Sequence, residues 1–171
     1  DSYRLYLALL YSKKPIVTGA FTNKTVQEMI DMLSLFAGSP EAARKKPRAI
    51  FDVCPAPPLI WSNFGAGNLI ALARSGIPAE IVSVPLSGAA APVTMLGTVT
   101  QHTAECFAGI VIHQLAHPGS PIVWGGAAAI FDMRKGATPM GAVETAMLDC
   151  SYAQVAKTLN MPTHTYLGAT D

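Results

Sequence analysis

Residues 74–92 read RSGIPAEIVSVPLSGAAAP, and this stretch decides the fold class. Its Gly76-Ile-Pro78 is a strong stop signal for a helix. The apolar run Glu80 to Val84 then predicts a buried strand. The small residues Gly88 to Ala91 predict a loop, and Pro92 suits the first turn of a further helix. A helix end, a strand, a loop and a new helix in so short a stretch predict a βα unit.

The same alternation continues on both sides of this stretch. Strand starts are predicted near positions 15, 49, 79, 121 and 162, and a spacing of about 30 to 40 residues is the rhythm of repeated βα units. The predicted strands are Pro15–Ala20, Ala49–Val53, Glu80–Val84, Pro121–Trp124 and one that starts at Thr163–Leu167. The predicted helices run from Thr25 to Ala37, from a cap at Ser62 or Asn63 to Arg74, from Pro92 to His117, and from Val143 to Leu159.

Right-handed crossovers allow such a run to be an open doubly wound sheet or a part of a barrel, and periodicity does not choose between them. The helix from Thr25 is expected to start with the capping box Thr25-Val-Gln-Glu28 and to stop at Gly38. A loop is expected around Pro40 and Pro47. Five strands do not close an eight-stranded barrel, so we expect a fragment of a longer protein.

The composition is that of one covered α/β domain. Half of the 171 residues are hydrophobic and 13% are charged, against about 25% in a typical soluble domain. Low charge indicates a sheet with both faces covered. A net charge of +1 does not indicate binding to nucleic acid or to an acidic membrane. The basic run Arg44, Lys45, Lys46 and Arg48 is interpreted as a solvated loop.

The expected compartment is the cytoplasm. Cys54, Cys106 and Cys150 are odd in number and lack Cys-x-x-Cys spacing, which argues against a disulfide scaffold or a zinc ribbon and fits a reducing compartment. No signal peptide opens the sequence. The uncharged run from Ile81 to Ala104 contains Pro85, Gly88 and Pro92, so a strand, a loop and a buried helix are favoured over a membrane span.

Polar residues in the long predicted helix form the first candidate site. His102 and Glu105 are three residues apart, hence neighbours on one helix face. They are an acid/base pair, two metal ligands, or a buried hydrogen-bonded pair, and the last is favoured. No second ligand pair appears at metal spacing. The motif Gly65-Ala-Gly67-Asn68 lacks the third glycine of a dinucleotide fingerprint and is interpreted as close helix packing.

Aromatic residues at the predicted strand ends form the second candidate site, because barrel chemistry is located there. Aromatic faces around a cleft hold a quaternary ammonium by cation–π attraction, although ordinary packing is the commoner role of any single aromatic. The loop Gly88–Ala91 offers backbone N–H groups for a substrate carboxylate, and Trp124-Gly-Gly-Ala127 clears space. The aromatics in question are Phe21, Trp61, Trp124 and Tyr166.

Several stretches together resemble the corrinoid-dependent trimethylamine methyltransferase family. The most specific is Gly88-Ala-Ala-Ala-Pro92-Val-Thr94-Met-Leu-Gly97. The others, in chain order, are Gln101-His-Thr-Ala-Glu105, Ala108-Gly-Ile-Val, His117-Pro-Gly119-Ser-Pro121-Ile-Val, Asp132-Met-Arg134-Lys-Gly136-Ala, Gly141-Ala-Val-Glu144 and Leu167-Gly-Ala-Thr-Asp171. The match is dense from about position 80 onward and looser before it.

The resemblance implies a (β/α)₈ TIM barrel, of which residues 1–171 would be a middle part. It implies methyl transfer from a tertiary or quaternary amine to the Co(I) of a separate corrinoid protein, with no metal or cofactor bound directly by this chain. Trimethylamine-specific members carry pyrrolysine, whereas this segment has only standard residues. It is therefore more similar to the glycine betaine methyltransferase-like members, and a quaternary amine is the expected substrate. The segment alone is expected to be inactive.

Residue roles follow from position and from the resemblance. Phe21, Trp124 and Tyr166 are expected to form an aromatic cage. Gln101, His102 and Glu105 match a family motif and are expected to bind substrate or to support its pocket. Asp132 and Arg134, in another motif, are expected to shape the mouth, to meet the corrinoid partner, or only to fix their loop.

Two alternatives stay open at this point. One is an α/β enzyme that acts on a phosphorylated or carbonyl substrate, which would need a phosphate loop or a strand-end lysine. The other is a non-catalytic barrel scaffold with a small-molecule pocket. In either case we expect homo-oligomers, because an open five-stranded sheet leaves edges and an apolar face to be covered.

Overall fold

The computed structural model describes residues 1–166 and shows helices alternating with strands. The predicted fifth strand therefore ends, at Leu167, outside the described residues, as does the motif Leu167–Asp171. The helices are α1 Ser2–Tyr11, α2 Asn23–Ala37, α3 Pro40–Lys45, α4 Asn63–Ser75, α5 Met95–Ala116 and α6 Val143–Thr158; the strands are β1 Ile16–Gly19, β2 Ala49–Val53, β3 Ala79–Ser83, β4 Leu86–Ser87, β5 Ile122–Gly126 and β6 Ala129–Ile130.

Four strands form a parallel sheet in the order β1-β2-β3-β5. The register of the first pair runs from Ile16 opposite Ala49 to Gly19 opposite Asp52. All five residues of β3 are buried, as expected for an inner strand of a parallel sheet covered on both faces. The predicted α/β class with alternating βα units is confirmed, and it is compatible with a fragment of a (β/α)₈ barrel.

The chain divides into two compact units. The first contains residues 1–53, 62–80 and 110–122, and the second contains residues 54–61, 81–109 and the described residues from Val123 onward. Leu5, Met29 and Leu72 are among the buried side chains of the first unit. Trp124, Leu148 and Tyr152 are among those of the second unit.

Helix ends follow local backbone chemistry. Gly38 and Gly76 adopt left-handed φ angles of 88° and 70° and end α2 and α4, as predicted. Ser62 caps α4 through its side chain, which accepts a hydrogen bond from the Gly65 N–H. The predicted capping box at Thr25 is wrong, because Thr22 caps α2 and accepts from the Thr25 N–H at 3.0 Å.

The predicted loop around Pro40 and Pro47 contains the short helix α3. The hydroxyl of Ser39 accepts from the Ala42 N–H at 3.1 Å, and Pro40 supplies a first-turn φ that suits a helix. The basic run is therefore not only a solvated loop. Arg44 Nε donates to the Ser75 carbonyl at 2.7 Å, and Arg48 donates to the Ser12 carbonyl at 2.5 Å.

Two further differences concern the later strands. The pairing of β4 with β6, Leu86 opposite Ala129 and Ser87 opposite Ile130, was not predicted. In the described part of the fifth predicted strand, residues 163–166, Thr163 forms an isolated parallel bridge with Trp124. The long helix starts at Met95 rather than Pro92, where the Thr94 hydroxyl accepts from the Gly97 N–H at 3.2 Å.

Between residues 1 and 166, no helix has the length and apolar content that crossing a bilayer requires.

Candidate functional site

The first half of α5 holds the polar cluster at the centre of the candidate site. The carboxylate of Glu105 is 1% exposed. It accepts hydrogen bonds from the Ser83 hydroxyl at 2.5 Å, the Leu59 backbone N–H at 2.9 Å and the Gln101 amide at 3.0 Å. Ser83 is the last residue of β3, so the cluster lies at a carboxyl strand end, where the chemistry of α/β folds is located.

Among residues 1–166, no lysine, arginine or histidine forms an ion pair with Glu105. The ion pair found in this part of the chain joins Lys24 and Glu28 at 3.8 Å, on the surface. Every donor to the Glu105 carboxylate is neutral. A buried carboxylate without a counter-charge is costly unless hydrogen bonds or a bound cation compensate it. Within residues 1–166, the Glu105 carboxylate is therefore stabilised by neutral hydrogen-bond donors and not by an ion pair.

Residues 54–61 are anchored on the same turn of α5. The indole Nε1 of Trp61 donates to the Glu105 carbonyl at 3.1 Å. The Trp61 ring lies so close to Gly109 that a Cβ at Gly109 would collide with it. Trp61 is therefore a packing anchor, and Gly109 is the residue that makes room for it.

His102 is buried and neutral. Its Nε2 lies 3.1 Å from the Gly125 carbonyl, so the tautomer is the one with the proton on Nε2. Burial lowers the pKa of His102 to about 4, against the smaller upward effect of the Gly125 hydrogen bond. His102 and Glu105 were expected to form a buried hydrogen-bonded pair. Both side chains are buried, but His102 bonds to the Gly125 carbonyl, and Glu105 bonds to other groups.

Cys106 lies one turn after His102 on α5, and its sulfur is 3.8 Å from the Nδ1 atom of His102. Burial, followed by the negative charge of Glu105, raises the pKa of the Cys106 thiol well above its usual range. A thiol held in its protonated form is a poor nucleophile, so Cys106 has a packing role.

The three predicted cage aromatics have different surroundings. Trp124 is fully buried. Its ring centroid is 5.9 Å from that of His102 and 5.5 Å from that of Phe107, as in ordinary core packing. Tyr166 is 43% exposed, and Phe21, in the first unit, is 75% exposed. A cage formed by Phe21, Trp124 and Tyr166 stays a prediction.

Asp132 fixes its own loop. Its carboxylate accepts from the backbone N–H groups of Arg134 at 2.9 Å and Lys135 at 3.2 Å, the pattern of an Asx turn. The Arg134 side chain is exposed. The loop-fixing role that was one of three expectations for Asp132 is thus observed, and a contact of Arg134 with a partner stays a prediction.

The two small-residue loops are filled by the protein itself. The N–H groups of Gly88, Ala89 and Ala91 donate to carbonyls within the turn. The expectation that they bind a substrate carboxylate is therefore wrong for these three groups. A Cβ at Gly126 would collide with His102 and Tyr152. The space predicted at Trp124–Ala127 is occupied by these two rings.

Other sequence motifs have packing roles. A Cβ on Gly67 would lie 2.6 Å from the Asn23 amide nitrogen, so Gly65-Ala-Gly67-Asn68 serves close packing, as interpreted. Within residues 1–166, no group of three or more His, Cys, Asp or Glu side chains is arranged to hold a metal ion.

Ser83 and Leu59 were missed by the sequence analysis. A polar residue that ends a fully buried strand was a signal for Ser83. The Leu59 N–H carries no signal in the sequence, because a backbone donor is available at every residue except proline.

Comparison with known proteins gives consistent matches. The model of the trimethylamine methyltransferase family matches residues 3–171. The chain is 29% identical over 160 residues, 94% of its length and 32% of the other protein, to trimethylamine methyltransferase of Desulfitobacterium hafniense. It is 37% identical over 127 residues, 74% of its length and 26% of the other protein, to trimethylamine methyltransferase of Methanosarcina thermophila.

A third relative has a different name. The chain is 27% identical over 167 residues, 98% of its length, to glycine betaine methyltransferase of Desulfitobacterium hafniense, of which it covers 35%. The chain thus spans about a quarter to a third of the length of the curated relatives that it matches.

Proposed function

The chain belongs to the trimethylamine methyltransferase family, and from this premise we propose that it is part of an amine methyltransferase. The enzyme moves a methyl group from a quaternary or tertiary amine, of the glycine betaine type, to the Co(I) of a corrinoid protein. The segment forms a middle part of a (β/α)₈ barrel, in keeping with its parallel sheet and alternating βα units. The enzyme works in the cytoplasm.

The observation that best supports an amine substrate is the buried carboxylate of Glu105. Its hydrogen bonds come from neutral groups, so its charge is stabilised but not cancelled. A negative charge in a region of low dielectric attracts a cation and repels an anion more strongly than it would in water. A site organised in this way favours an ammonium over a phosphorylated substrate.

A quaternary amine is favoured over a tertiary one. A quaternary nitrogen leaves as a neutral amine when the methyl group departs, so no proton has to be supplied. His102, which has a pKa lowered to about 4, holds no proton to donate from a charged imidazole at neutral pH. The likeness to glycine betaine methyltransferase points in the same direction.

The reaction is an in-line displacement at the methyl carbon. The C–N bonding electrons stay on nitrogen, and the electron pair of the new bond comes from the corrinoid, which is the methyl acceptor and is held by its own protein. The share of this chain is to bind the cation and to hold the methyl–nitrogen axis toward the acceptor. Glu105 contributes attraction to the ammonium, and Gln101 and Ser83 hold the carboxylate in place.

The test uses the full-length protein and a cognate corrinoid protein reduced to Co(I). Glycine betaine, trimethylamine and other methylated amines are added in turn, and the corrin absorbance is followed for methylation. We expect rapid methylation with one quaternary amine. If no methylated amine raises the rate above that without enzyme, the amine methyltransferase proposal fails and the scaffold alternative takes its place.

A further inference from the structure

The Glu105 carboxylate is enclosed by its own hydrogen-bond donors. Glu105 is 1% exposed, and the Ser83 hydroxyl, the Gln101 amide and the Leu59 backbone N–H all donate to it. A cation that contacts this carboxylate would have to displace one of the three donors, because they leave almost no surface open. The structure of residues 1–166 therefore shows the carboxylate in a closed form.

One of the three donors lies on a segment that can move without unfolding a helix or a strand. Ser83 is the last residue of β3 and is fully buried. Gln101 lies within α5, and its amide also donates to the Ala90 carbonyl at 2.9 Å. Leu59 lies in a turn, outside the helices and strands. Segments with few backbone ladder bonds open at the lowest free energy, so Leu59 is the donor that can leave.

The base of this turn is fixed. Ala56 and Ile60 exchange two backbone hydrogen bonds, of 2.8 and 3.2 Å. Next in the chain, the Trp61 indole donates to the Glu105 carbonyl at 3.1 Å, and its ring packs against Gly109. A movement of the turn would therefore be limited to residues 57–59, which we name the tip.

The tip is joined to the site through a single backbone donor. Pro57 and Pro58 have no N–H, so the N–H of Leu59 is the only one in the tip. It donates to Oε1 of Glu105 at 2.9 Å. The Leu59 side chain is 63% exposed in residues 1–166, so its burial adds little. The closed position of the tip thus depends mainly on one hydrogen bond to a carboxylate.

Backbone strain at Leu59 opposes this hydrogen bond. Leu59 has a φ of 57°, in the left-handed region, which is unfavourable for a residue with a Cβ and persists only with a compensating interaction. Here the compensating interaction is a hydrogen bond to a carboxylate, which is stronger than one between neutral groups. If that bond is lost, Leu59 can return to an ordinary φ. The closed form is therefore held by two opposed contributions, and a change in either one shifts it.

We propose that the tip, residues 57–59, is a lid that closes over Glu105 and opens when a cation takes the place of the Leu59 N–H. This inference rests on the proposed function, in which the cation is a methylated amine. Gln101 and Ser83 hold the carboxylate in both forms, so opening frees one side of Oε1 for the ammonium. In the closed form the lid keeps water from the carboxylate.

Opening of the lid sets the apparent affinity for the amine. If only a fraction of the molecules is open, the apparent dissociation constant is raised by the inverse of that fraction. A substitution that stabilises the closed form should therefore weaken amine binding and slow hydrogen exchange at residue 59 by the same factor.

The first test compares two variants of the full-length protein, Leu59→Gly and Leu59→Ala. Both remove the side chain and keep the N–H, but only glycine adopts a φ of 57° at low cost. After correction for intrinsic rates, the residue-59 amide of Leu59→Gly should be about threefold better protected from hydrogen exchange than that of Leu59→Ala. Its kcat/KM for a quaternary amine should be about threefold lower than that of Leu59→Ala.

Two outcomes of this comparison overturn the proposal. Equal protection in the two variants would mean that the strain at residue 59 does not act on an opening of the tip. Loss of most of the protection in Leu59→Ala, relative to the unmodified protein, would mean that the side chain rather than the N–H holds the tip.

The second test measures hydrogen exchange of the unmodified protein with and without saturating glycine betaine. The residue-59 amide should lose about tenfold of its protection, whereas the Ile60 amide, in the fixed base, should keep its own. Unchanged or greater protection at residue 59 with glycine betaine bound would overturn the lid. If glycine betaine does not bind, the proposed function is at fault, and Leu59→Gly against Leu59→Ala still decides whether the tip opens.

Discussion

The imidazole of His102 is stacked on the phenol ring of Tyr152, with ring centroids 4.4 Å apart and planes 15° from parallel. Each ring is also held at its polar end. His102 Nε2 lies 3.1 Å from the Gly125 carbonyl, and the Tyr152 hydroxyl donates to the Gly126 carbonyl at 2.6 Å. The two rings thus join α5 and α6 to the last two residues of β5.

Gly126→Ala should destabilise the protein by about 1 to 3 kcal/mol, the usual cost of overpacking a core. The added Cβ would collide with both stacked rings, so the rings or the backbone of Gly126 have to shift. Urea unfolding measures the change. Gly19→Ala is the control, because a Cβ there meets the Asp52 carbonyl at an ordinary 3.6 Å. Equal stability of the two variants would contradict the packing described here.

Stability should fall as the pH drops from 6.5 to 4. Burial lowers the pKa of His102 from 6.5 to about 4, so in this window the unfolded chain binds a proton that the folded chain does not. The loss attributable to His102 is on the order of 3 kcal/mol when complete. Burial, followed by the positive charge of His117, also lowers the pKa of His113 to about 4, so His113 shifts stability in the same direction.

Unfolding of the His102→Gln variant at several pH values measures the His102 share. The variant should be less stable at neutral pH but should lose less stability on acidification than the unmodified protein. His164→Gln, at an exposed position, serves as the control. An unchanged pH slope in His102→Gln would show that His102 titrates alike in the folded and unfolded chains.

Glu105→Gln should lower kcat/KM for a quaternary amine by about tenfold or more, because it removes a charge that acts through a region of low dielectric. It should also cost about 1 to 3 kcal/mol of stability, since an amide NH₂ group would face donors that now bond to a carboxylate. Glu41→Gln, at an exposed position in α3, is the matched control. Unchanged kcat/KM in a folded Glu105→Gln variant would remove Glu105 from the proposed site.

Asn68→Asp should destabilise the protein at pH 7 by about 3 kcal/mol or more, the cost of an unpaired buried charge. Asn68 is 2% exposed, and its amide donates to the Ala20 carbonyl at 3.2 Å. A carboxylate would face that carbonyl without a donor. Thermal unfolding at pH 7 and pH 4 tests the point, because protonation at low pH should recover part of the loss relative to the unmodified protein. Equal loss at both pH values would point to a steric cause instead.

The parts of the fold that the sequence predicted correctly depend on local chemistry. Glycine at position 38 or 76 ends a helix because only a residue without a Cβ adopts a left-handed φ at low cost. The strand Ala49–Val53 is an apolar run with clear limits, and its bounds agree with the structure. Helix α3 was missed because two prolines suggested a loop, although a proline in the first turn favours a helix when serine precedes it.

The site was predictable only in part for a related reason. Helical spacing places Gln101, His102 and Glu105 on adjoining turns of α5, and they are found there. Their partners come from other segments: Ser83 is 22 positions away from Glu105 and Leu59 is 46 positions away. No spacing rule joins residues so far apart, because the folded sheet and loops bring them together.

The short pairing of β4 with β6 orders two loops near the proposed site before any ligand binds. Leu86 and Ser87, just after β3, are joined to Ala129 and Ile130, just after β5, and the Ser87 hydroxyl also lies 2.5 Å from that of Thr98 on α5. Two loops that would otherwise sample many conformations are thereby ordered during folding. Their conformational entropy is lost during folding rather than when a ligand binds. A ligand that contacts these two loops would therefore bind more tightly than it would to disordered loops.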